Sequence, residues 1–176
     1  FNGNLDNGGE RIQLLDVVNE EVLDFSYNNS WYPVTDGLGF SLVVVNENAE
    51  PDNWGSRTQW RISGAVEGAP GAADPLPGVV APILVTEALT HTDLPDVDQI
   101  ELHNPTGDAV SLAGWWLTDD KFTPKKYLIP PGTSIPAGAY LVFSETDFNA
   151  AGSPTAFSLS SKGAEVYLYS GDGEHL

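Results

Sequence analysis

The chain has 176 residues, 41% apolar and 10% aromatic, which is enough to bury a core and too apolar for a disordered polypeptide. Its 25 acidic side chains outnumber 7 basic ones, for a formal net charge of −18; that field repels nucleic-acid backbones and anionic membrane surfaces, and favours cations, basic proteins or neutral polymers such as glycans. Cysteine is absent, which excludes disulfide staples and thiolate metal sites, and no apolar run approaches the ~18 residues a membrane span needs.

The chain opens on Phe1 and carries no Met, so it is expected to be a piece of a longer product, with any signal peptide outside it. Residues 1–7 are turn-rich. Glu10 to Leu15 alternates, with Ile12 and Leu14 on one face, and predicts a strand; Val22 to Tyr27 predicts its hairpin partner. Trp31 to Gly39 reads as a loop, and Phe40 to Val45 as the most apolar strand of this half. Trp54 to Ser63 reads as a short strand or an indole-capped loop. Gly64 to Pro82 is rich in Gly, Ala and Pro, with Pro at 70, 75, 77 and 82, and is expected to be an extended linker. The expected division is 1–67, a linker at 68–82, and 83–176.

The second part starts with a strand, Ile83 to Leu89, and a solvated loop, Thr90 to Asp98. Between Ile100 and Phe143, short apolar runs alternate with turn residues such as Asn104-Pro105-Thr106-Gly107, Pro130-Pro131-Gly132 and Pro136-Ala137-Gly138. That spacing predicts antiparallel strands of a sandwich or barrel. Ser144 to Pro154 reads as a polar loop, Ala164 to Gly173 as a last strand, and no segment has helical periodicity.

One repeat stands out. Leu5 to Asp16 can be laid on Leu159 to Ser170, 154 positions later, with Leu, Gly, a β-branched residue and Leu recurring in step. The chain then covers slightly more than one period of a tandem array.

Chemistry is sparse. There is no Gly-x-Ser-x-Gly elbow, phosphate-binding Gly-Lys-Ser/Thr loop or His-Glu-x-x-His helix. Asp93, Asp96 and Asp98, flanked by His91 and His103, could gather around calcium, as could Glu47, Glu50 and Asp52 in a second oxygen-rich loop; neither spacing is that of an EF-hand. Lys121, Lys125 and Lys126 concentrate three of the seven bases and could contact an acidic neighbour, even a second copy. Trp31, Trp54, Trp60, Trp115 and Trp116 are expected in core or rim packing, with sugar stacking the sharper alternative.

Several stretches together resemble the lamin tail domain family, in its bacterial secreted versions. Val85 to Leu89, Gln99 to Pro105, Val110 to Trp115, Leu117-Thr118-Asp119, Ile129 to Thr133, Ile135 to Gly138, Tyr140 to Val142 and Leu159 to Val166 are similar to its first two-thirds. Gly8 to Asp16, Trp31, Pro33, Asp36-Gly37, Ser41-Leu42, Trp54 and Gly68 to Gly71 are similar to its last third, so the order is permuted. The resemblance implies an all-β, immunoglobulin-like antiparallel β-sandwich with no transferable catalytic residue. It implies a non-enzymatic module of a bacterial secreted or cell-surface tandem-repeat protein. Such a module would work in adhesion or in assembly with itself or neighbouring repeats by strand complementation. A carbohydrate-binding accessory module, or a non-catalytic part of a secreted hydrolase, is the alternative. The duplicated strand would be one too many, so Ala164, Val166 and Leu168 are expected to meet a neighbouring strand. No cofactor beyond calcium is expected.

Overall fold

A computed structural model describes residues 4–6, 8–90, 96–172 and 176. Residues 1–3 and 7, together with His91, Asp93 and Gly173, lie outside the described residues. The chain divides into two compact units, Phe1–Gly78 and Val79–Leu176. Among the described residues all sheets are antiparallel, and helix is confined to single turns.

The first unit holds two hairpin-like pairs. β1 (Arg11–Leu15) pairs with β2 (Glu21–Ser26), bringing Ile12 opposite Phe25 and Leu14 opposite Leu23. β3 (Leu42–Val44) pairs with β4 (Trp60–Ile62), so the apolar run from Phe40 to Val45 is shorter as a strand than its sequence suggests. The intervening residues form four 3-10 turns, two of them opened by Pro33 and Pro51, whose fixed φ suits a first helical position. The core is small and aromatic. Phe25 and Trp60 are buried with ring centroids 5.3 Å apart, and Trp54 meets both edge-on. The Trp60 indole N–H donates to the Trp54 carbonyl at 2.6 Å, fixing the pair.

The Pro/Gly/Ala segment departs from the extended spacer expected of it. Its first part turns at Ala65–Gly68 and Ala69–Ala72 and folds back on β4. Arg61 donates to the Asp74 carboxylate at 2.6 Å, and the Gly64 N–H donates to the same oxygen at 2.9 Å. A Cβ at Gly64 would lie 2.2 Å from the Pro75 carbonyl oxygen, so only glycine admits this approach.

The second unit contains β5 (Leu84–Leu89), β6 (Gln99–His103), β7 (Val110–Ser111), β8 (Trp116–Thr118), β9 (Tyr127–Leu128), β10 (Ser134–Ile135), β11 (Tyr140–Ser144), α1 (Glu145–Phe148) and β12 (Tyr167–Tyr169). They form a β11-β6-β5 sheet, a β12-β8-β9 sheet and a β10-β7 pair. Residues from all three, Ile100, Leu102, Phe143, Leu117 and Ile135, meet in one buried cluster with Leu112, Ile129, Phe148, Phe157 and Leu159.

Turn chemistry explains how such short strands reach that core. Leu112–Trp115, Pro130–Thr133 and Pro136–Ala139 each close a turn by a backbone hydrogen bond, with Gly114, Gly132 and Gly138 third at φ +86, +84 and +67. That is the type II geometry, which needs positive φ at its third position. Asn104 is fully buried and ties its own loop to the start of the Pro136 turn. Its amide N–H2 reaches the carbonyls of Asp108, Ile135 and Pro136, and its oxygen accepts from the Thr106 N–H and hydroxyl.

The stretch from Ser144 to Pro154 is not wholly a loop. Ser144 and Asp147 form a capping box on the single turn α1, whose Phe148 stacks on Phe157 at 4.9 Å. One helical turn is too short to leave a periodicity in the sequence.

Candidate functional site

The first unit leaves a cleft of ≈ 350 Å³ with Ile12, Phe25, Leu42 and Trp60 on its apolar walls and Asp6, Asn29 and Asp36 on its polar side. Beside it β1 has one partner, β2, so its other edge is unpaired among the described residues. Ile12 is half-buried, but Leu14 is 54% exposed and Leu5 is 60% exposed. Arg11 donates to Asp24 across the pair through Nε (2.7 Å) and Nη2; this guanidinium holds the Asp24 carboxyl below its ordinary range.

In the second unit the last strand is shorter than Ala164 to Gly173, and it is not spare. β12 pairs with β8, with Tyr167 opposite Thr118, Leu168 opposite Leu117 and Tyr169 opposite Trp116. Val166 and Leu168 pack half-buried against the core, while Ala164 is exposed. The strand expected to be spare thus occupies the edge of β8 in its own unit, with Leu168 opposite the buried Leu117. The opposite edge of β12 is unpaired among the described residues.

The two copies of the repeated segment share a geometry that their letters only hinted at. Gly9 has φ +114 and its N–H donates to the Asp6 carbonyl at 3.3 Å. Gly163, in the equivalent place, has φ +118 and donates to the Ser160 carbonyl at 3.1 Å. The same turn therefore feeds β1 and β12. The surroundings differ. A Cβ on Gly9 would lie 2.3 Å from the Tyr27 carbonyl oxygen, because β2 runs on past it; around Gly163 the same space is open. Leu159 is buried in the second core, whereas its counterpart Leu5 is 60% exposed at the mouth of the first unit's cleft.

The other candidate residues fall elsewhere. Lys126 binds Asp119 at 2.6 Å, and Lys121 lies 5.2 Å from the Phe122 ring centre. Lys125 shares this loop and is also engaged. The loop is tied inward: the Asp120 carboxylate accepts from the Phe122 N–H and the Thr123 hydroxyl, which hold it below the usual carboxylate range with help from Lys126 and Lys121. Lys126 thus pairs with Asp119, and Lys126 and Lys121 both lie close enough to Asp120 to act on its carboxylate. Asp98 is buried and engaged, and Asp96 is exposed. Glu47, Glu50 and Asp52 are exposed and not gathered; among the described residues no three His, Asp or Glu side chains converge as a metal would need. All five Trp are buried or half-buried. Among the described residues, no helix is long and apolar enough to cross a membrane.

A family model, Lamin Tail Domain, matches residues 77–176, a span that takes in the whole second unit. No curated protein and no solved structure matches the chain.

Proposed function

Since the chain belongs to the lamin tail domain family, whose model matches more than half of it, we propose that it is a structural module of a bacterial secreted or cell-surface tandem-repeat protein that assembles by sharing strands. The family is one of non-catalytic, immunoglobulin-like interaction modules, and the all-β architecture agrees with it. The observation that carries the reading is the recurrence of one turn and strand, at Gly9 and at Gly163, in two units that each leave apolar surface open. A sandwich with bare strand edges is a template for pairing with another chain.

Light scattering across micromolar to millimolar protein tests this. The expected result is a mass that rises above one chain with concentration. A single-chain mass throughout the range contradicts assembly.

A further inference from the structure

Resting on that reading, we infer that the partner is a second copy of this chain, and that its residues 5–15 replace 159–169 on β8, with β2 arriving as a fourth strand. The resulting sheet runs β9-β8-β1-β2, the last two from the second copy. The 154-residue offset fixes the register: Gln13 opposite Thr118, Leu14 opposite Leu117 and Leu15 opposite Trp116.

The segment fits the place because it is built like the present occupant. The same positive-φ glycine turn leads into both strands. Leu5, Ile12 and Leu14 stand where Leu159, Val166 and Leu168 stand, and in the second unit those three touch or line the core. Leu5 and Leu14 have no such core around them and are mostly exposed.

Exchanging one strand for another is close to neutral by itself. The net gain comes from apolar surface both units leave bare. The first unit brings its open cleft with the hairpin. The second unit exposes Leu84, Val85 and Leu89 along β5, the edge strand of its other sheet. Closing such surface stabilises by roughly 25 cal/mol per Å2. Each copy donates one hairpin and accepts one, so two copies can exchange reciprocally, or successive copies can link into larger rings and open chains.

The chain lacks cysteine, so engineered pairs report without background. Directly opposed residues of antiparallel strands suit a disulfide. A Tyr169→Cys/Trp116→Cys chain staples β12 to β8. Oxidised, it is expected to remain a single chain; reduced, it recovers the wild-type mass distribution. A Leu15→Cys/Trp116→Cys chain is expected to give cross-linked dimers and higher ladders on non-reducing gels. Leu14→Asp, at a position exposed in the single chain, keeps the fold intact; it is expected to raise the midpoint concentration of assembly about tenfold or more, the effect of losing one buried leucine. Oligomers unaffected by the staple and by Leu14→Asp would overturn the exchange while leaving assembly standing. A Leu15–Trp116 cross-link closed within one chain would overturn the second copy as partner. Neither oligomers nor cross-links at any concentration would overturn assembly itself.

Discussion

Asn104 does for the second unit what a hydrophobic residue cannot. It is polar, fully buried, and satisfied on both its amide nitrogen and its oxygen by groups from two stretches, Thr106–Asp108 and Ile135-Pro136. Removing it strands those carbonyls away from water. Asn104→Ala is expected to lower the stability of the second unit by about 3 kcal/mol, read as a shift of its urea midpoint with unchanged slope. The two equivalent glycines make a sharper pair. Both sit at positive φ, so alanine at either costs about 1 kcal/mol in backbone strain. Alanine at Gly9 must also push the Tyr27 carbonyl away, whereas Gly163 faces open space. Gly9→Ala is therefore expected to destabilise its unit more than Gly163→Ala does, by thermal denaturation of the two variants side by side. Equal losses would mean that the empty space beside Gly163 has no energetic meaning.

Among the elements, the segment after β4 shows how charge replaces packing. The Gly64 N–H, and then Arg61, hold the Asp74 carboxyl below the ordinary range. A carboxylate whose folded-state value is depressed stabilises the fold above its unfolded value, about pH 4, and that stabilisation is lost as pH falls through the folded value. Asp74→Asn is thus expected to lower the melting temperature of the first unit at pH 7. The difference from the parent should shrink progressively below about pH 4. A difference independent of pH would mean the loss is one of shape and not of charge. This segment also marks where sequence reading stopped short. Its Pro and Gly content announced a break between the two parts, and the break falls at Gly78. The fold-back did not show, because it depends on Asp74 meeting Arg61 thirteen residues away. The turn glycines at 132 and 138 were legible for the opposite reason: their φ is a local demand. Of the candidate site, the repeat was legible from letter spacing. The burial of Leu159 and the bareness of Leu5 were not, since identical letters carry no record of which copy has a core around it.

At the scale of the whole molecule, the chain holds two compact units, each carrying one copy of the repeated turn and strand. Net charge opposes bringing copies together, and salt screens that repulsion. Assembly is therefore expected to strengthen between 20 and about 150 mM sodium chloride, a direction opposite to that of binding driven by ion pairs. The central claim is that β1 and β12 are one element of a repeating plan. It is tested most directly by a chain in which residues 79–169 run straight into residues 16–78, so that a single strand follows β8 in the sheet and leads into β2. The account predicts one cooperative unfolding transition, at a higher temperature than either transition of the parent chain, and a single-chain mass at every concentration. Two independent transitions at the parent's temperatures, or a chain that does not fold, would contradict it.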